Sequence, residues 1–201
     1  MKKASSIIFI FLLSVVVFAQ NYSKPGRNEV VLVFSVDIRP SVNREFFKQY
    51  LSIPSMPLSD LIINETGRPV NNDPGDSISL YCEGDEKFDK PTAVADVEDL
   101  ISVKVPVSRS GEIALNFCTY NFFKGTAFRF FLPFGVKIKV QPEFKYYYLG
   151  HLEYKRSGGM NYEITDVKKQ DNYAGVVPII KKRYGKDAEL VRAAMTAIDI
   201  K

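Results

Sequence analysis

The chain has 201 residues, 46% of them hydrophobic, with a formal charge of +4, one histidine, two cysteines and no tryptophan. That apolar share is ample for a packed core and excludes wholesale disorder. The near balance of 27 basic against 23 acidic residues excludes the strong basic excess of a nucleic-acid binder.

Residues 1–19 read as a signal peptide. Lys2 and Lys3 form a positive n-region, Ile7 to Phe18 an apolar run broken only by Ser14, and Val17 and Ala19 the small-residue positions before a cut. Cleavage is expected between Ala19 and Gln20. The run falls short of the roughly 20 apolar residues of a spanning helix, and nothing downstream approaches that length. The mature part, residues 20–201, is expected to be a single domain without a transmembrane segment. Loss of Lys2 and Lys3 leaves a charge of about +2, so no nucleic-acid partner is expected.

Glu29 to Ile38 is a β-branched run, apolar on both faces until Ser35 and Asp37, and predicts a buried central strand. Val42 to Leu51 predicts a short helix with Phe46, Phe47, Tyr50 and Leu51 on one side. From Ser52 to Asp99 the chain reads as irregular, punctuated by five prolines and by Asn71-Asn72-Asp73-Pro74-Gly75, with one strand over Ser77–Cys82. Long loops in compact domains are often functional, so specificity is expected here.

The same segment is acidic. Asp73, Asp76, Glu83, Asp85 and Asp89 offer oxygen ligands at short spacing, a candidate calcium set, although they do not match the EF-hand loop and Lys87 intrudes. Nine acidic residues lie between Asp73 and Asp99 and thirteen basic ones between Lys124 and Lys186, an asymmetry that either steers a charged partner or marks two solvated faces.

Cys82 and Cys118 are a possible disulfide in an oxidising compartment. Strand phase sets a condition. Cys82 shares the apolar face of Ile78 and Leu80, whereas Cys118 falls opposite the face of Ile113 and Leu115. A bridge requires neighbouring strands with a bulge or a chain end nearby.

Ile101, Val103, Val105 and Val107 alternate with polar residues, and Pro106, which cannot donate to a ladder, predicts that the strand is an edge or ends there. Strands are predicted over Ala127–Leu132 and Val136–Val140, joined by a turn at Phe134-Gly135, and then over Tyr146–Tyr154 and Asn161–Val167, joined by a hairpin at Ser157-Gly158-Gly159. From Phe117 to Tyr148 the chain is rich in aromatics. Tyr120, Phe122, Phe123, Tyr146, Tyr147 and Tyr148 are candidate ligand-stacking rings; the alternative is that they fill the core, with rings on a second face covered by the C-terminal helix. His151 shares a face by alternation with Tyr147, Leu149 and Glu153, and reads as structural or surface-exposed.

Tyr173, Val176, Val177, Ile180 and Tyr184 follow helical spacing, with Gly185 as a stop and Lys181-Lys182-Arg183 favourably placed at the C-terminus. Pro178 moves the expected start of the regular helix to near Val177. Asp187 is a cap for a further helix through Ala197 that buries Leu190, Val191, Ala194 and Ile198.

The block from Tyr146-Tyr147-Tyr148-Leu149-Gly150 through Asp171 to Lys181-Lys182-Arg183-Tyr184-Gly185 resembles the tail of small uncharacterised bacterial secreted proteins and lipoproteins. The resemblance covers about 40 residues. It implies a β-sandwich with a packed helix and carries no activity; unlike the lipoproteins, this chain has no cysteine after the signal.

The expected fold is mainly β, an antiparallel β-sandwich (Ig-like or jelly-roll-like) with one or two C-terminal helices. There is no G-x-S-x-G elbow, no H-E-x-x-H helix and no second histidine for a triad or multi-histidine site. The expected function is an exported, non-catalytic envelope or extracellular protein that binds another envelope protein or a surface polymer, without a cofactor. A glycan-binding or small-ligand module using the aromatic band is the alternative, and a carboxylate-based hydrolase the third reading.

Overall fold

The β-branched run after Asn28 forms β1 (Glu29–Arg39), and the element order is otherwise β2 (Ser77–Cys82), β3 (Ala93–Asp96), β4 (Ile101–Pro106), β5 (Glu112–Asn121), β6 (Arg129–Lys139), β7 (Tyr146–Arg156), β8 (Ile164–Gln170), α1 (Tyr173–Tyr184), β9 (Leu190–Arg192) and β10 (Met195–Ala197). The computed structural model describes residues 22–40, 76–82, 90–121, 129–157 and 163–198. The expected signal peptide, the helix over 42–51, the turn at Gly158-Gly159, Asp73, Glu83, Asp85, Asp89, Phe122 and Phe123 lie outside them.

Two five-stranded sheets face each other. One runs β4-β1-β7-β8 with β9 also on β7, the other β10-β6-β5-β2-β3. The second is antiparallel throughout, whereas β7 runs parallel to both β1 and β9 in the first. Strand β1 is central and β4, with Pro106 at its end, is an edge strand. β9 takes the part of the β7 edge, Tyr146–Tyr148, that β8 leaves open by pairing only from His151 onward.

Inward-facing side chains from both sheets make one core, including Leu32, Phe34, Val103, Leu149 and Tyr154 from the first and Ile78, Leu80, Leu115, Leu132 and Ile138 from the second. Each such aliphatic side chain contributes about 1.5–3 kcal/mol by leaving water. A second cluster lies on the outer face of the first sheet, where Val31, Val33, Tyr146 and Tyr148 pack under Val176, Ile180 and Tyr184 of α1. Among the described residues no helix is long and apolar enough to cross a membrane.

Four expectations need correction. Phe134-Gly135 is not a turn, because β6 runs through it. Leu115 pairs with Val136 and Phe117 with Pro133, so Asn116 faces both Phe134 and Gly135 in a bulge, and Pro133 sits beside this break in the ladder. The helix begins at Tyr173 and contains Pro178, since the apolar stripe against the sheet holds the first turn despite the missing donor. Residues 187–197 form no helix. Leu190 instead pairs beside Tyr146, and Met195 beside Ile138, so tertiary pairing with two available edges outweighs local helical spacing. Finally, β3 lies within the segment read as irregular.

Candidate functional site

The terminal strands of the two sheets, β3 and β4, come side by side where the sandwich closes. Among the described residues, β3 pairs with β2 and β4 with β1. Between them runs a groove of about 430 Å³ lined by Val94, Ala95 and Asp96 from β3 and Ser102, Val103 and Lys104 from β4, with Tyr22 and Tyr184 also lining it. The bond from Val97 N to Asp76 O fixes the phase of β3. Ala93 and Ala95 point into the core, while Val94, 55% exposed, stands on the outer face.

The groove wall is tied from behind by the last turn of α1. Arg183 donates to the Leu100 carbonyl at 2.7 Å, to Ser102 Oγ at 3.0 Å and to Glu98 Oε2 at 3.1 Å. Tyr22 donates to the same Glu98 oxygen at 3.3 Å, and Arg183 lies 4.8 Å from the centre of its ring. Lys104 Nζ donates to Ser23 Oγ at 2.6 Å. Burial raises the Tyr184 phenol to about 12 and raises that of Tyr22, so both present neutral hydroxyls. Ser102 is held by a permanent cation instead of a base, which gives it no activation as a nucleophile. What the groove does offer is extended backbone on both sides.

A second depression of about 410 Å³ lies beside Cys82, Pro106 and the turn at Ser108. That turn's hydroxyl already bonds Ser110 and the Glu112 carbonyl.

The four described candidate stacking rings do not converge. Tyr120 faces the core and donates to Asp76 Oδ2 at 2.6 Å, which also engages the one described member of the calcium set. Tyr147 is 2% exposed, points into the sandwich and exchanges hydrogen bonds with the Gln141 backbone. Tyr146 and Tyr148 lie under α1, their rings 5.0 Å from Tyr184 and 5.8 Å from Tyr173. These four rings are packing elements, not an exposed platform. Phe131, at 44% exposure, is the most open ring of the band among the described residues, while Phe117 and Phe144 are half-buried.

Cys82 and Cys118 are not bridged. Both phase conditions are met, since β2 and β5 are neighbours and the bulge at Asn116 turns Cys118 into the core. The register, however, sets Cys118 opposite Leu80 and Cys82 opposite Leu115. The buried Cys118 thiol lies 3.6 Å from the Leu132 carbonyl, and burial pushes it up to about 12.

The sequence offered little warning of the groove. A four-residue strand shows no periodicity, and Arg183 meets Glu98 across 85 positions of chain. No protein-family model, no curated protein and no solved structure matches the chain.

Proposed function

We propose that the chain is an exported, non-catalytic protein of the cell envelope or exterior that grips an extended segment of another envelope protein along the β3–β4 groove. The observation that carries this reading is the pair of strands flanking the groove, each of which is terminal in its sheet among the described residues. Alternating N–H and C=O groups along an edge are matched by another extended polypeptide, the basis of strand addition. A surface polymer of sugars cannot repeat that alternation in register. Val94 adds an exposed apolar contact beside the edge. Export is supported by the arrangement of residues 1–19.

The test uses a photocrosslinking residue at Val94 and, as control, at Val167 on the opposite edge strand β8, also exposed at 40%. Each protein is irradiated in the intact envelope of the source cells. A single protein adduct at position 94, absent at 167, is the expected result. Equal adducts at both positions, or none at 94, overturn the groove as the binding site.

A further inference from the structure

The outer face of the first sheet carries a second cluster of functional groups, separate from the groove. Parallel pairing of β1 with β7 sets Ser35 beside His151 and Asp37 beside Glu153. The register shifts where Leu149 is extra, so that Tyr147 and Leu149 point into the core while Leu152 and Tyr154 do so further along. His151 and Glu153 are thereby turned outward, not onto the face of Tyr147 and Leu149 as simple alternation predicts. Past the end of the apolar patch under α1, the chain's one histidine meets two carboxylates.

We propose that Asp37, His151 and Glu153 form a mononuclear binding site for a divalent first-row transition-metal ion of the zinc class. One ligand atom from each residue lies within 4.8 Å of the other two, and all three residues are half-buried. A tetrahedral shell with bonds near 2.1 Å needs ligand atoms about 3.4 Å apart, so binding requires the three side chains to close in from that spacing. The surroundings match what metal ligands require of their neighbours. Ser35 Oγ holds His151 Nδ1 at 2.8 Å, which fixes the ring and leaves Nε2 to ligate. Arg39 donates to Asp37 Oδ2 at 2.7 Å and Gln170 to Glu153 Oε2 at 3.3 Å, so each carboxylate is oriented through one of its two oxygens.

The donor set decides the ion. Calcium takes six to eight oxygens, far more than two carboxylates provide, and a nitrogen ligand is foreign to it. One imidazole with two carboxylates suits zinc, cobalt, manganese or iron, and the carboxylates share their charge between such an ion and Arg39. Water completes the shell on the solvent side.

The test uses untagged protein lacking residues 1–19, stripped with chelator, and cobalt(II) as the probe. Because the chain holds one histidine, its imidazole proton resonances report on the site without mutation. One equivalent of cobalt is expected to shift them paramagnetically and to produce a visible d–d absorption that zinc then abolishes. His151→Ala, Asp37→Asn and Glu153→Gln should each weaken cobalt binding on the order of 100-fold, and Ser35→Ala roughly 10- to 100-fold with the stoichiometry unchanged. Circular dichroism of the metal-free variants checks that each is folded. Imidazole resonances that ignore one equivalent of cobalt, or binding that survives unchanged in folded His151→Ala, overturn the assignment.

Discussion

Gly150 holds β7 in the conformation that every later residue of the strand depends on. Its φ of 119° is one that side chains rarely adopt, and a Cβ there would lie 2.8 Å from Lys169 Cε and 3.3 Å from the Gln170 carbonyl oxygen. Lys169 can move aside, but the backbone oxygen and the φ cannot be relieved so easily. Gly150→Ala is therefore expected to cost about 1–3 kcal/mol, seen as a lower urea midpoint at unchanged slope. A variant as stable as the parent would show that the strand tolerates another path. At this scale the sequence was half legible. Alternation placed Ile78, Leu80, Val103 and Val105 correctly, because no register shift intervenes within those stretches. It misplaced His151 and Cys118, which follow the bulges at Leu149 and Asn116, and one extra residue inverts the phase of all that come after it.

Elements were legible where a periodic face met a partner of matching period. The stripe from Tyr173 to Tyr184 predicts α1 and its packing face, and Gly185 stops it with its N–H on the Lys181 carbonyl. Residues 190–197 were misread because Leu190, Val191 and Ala194 satisfy a helical face as well as two short strands, and only the open edges of β7 and β6 decide between them. Pro178 gives the element-scale prediction. It sits inside α1 on the solvent side, where its missing N–H leaves the Ala174 carbonyl without the usual intrahelical donor. Pro178→Ala is expected to stabilise the protein by about 1–3 kcal/mol, read from the urea midpoint. Loss of stability instead would mean that the bend imposed by the ring is needed to seat Val176 and Ile180 on Tyr146 and Tyr148.

The whole molecule is stitched by buried phenols. Burial raises Tyr120 and Tyr154 well above the usual phenol value, raises Tyr184 to about 12, and raises Tyr146 and Tyr147 as well, while the Cys118 thiol sits at about 12. These groups span both sides of the first sheet, so their titration reports on the sandwich core and the α1 cluster together. All are uncharged when protonated, and the folded state holds their protons more tightly than the unfolded chain does. Between the unfolded and the raised folded value, the unfolded chain binds fewer protons, so the slope of unfolding free energy with pH is negative. The stabilisation is complete below the ordinary values of about 9 for the thiol and 10 for the phenols. It is lost as pH climbs toward about 12. Urea midpoints are accordingly expected to be level from about pH 7 to pH 8.5 and to fall steeply above about pH 10. Tyrosinate absorbance should develop in two stages, exposed rings first and the buried set only as the protein unfolds. Eleven tyrosines titrating together near their ordinary value in protein that is still folded would mean that water reaches these rings, and that neither cluster is the dry core that holds the two sheets and the helix as one unit.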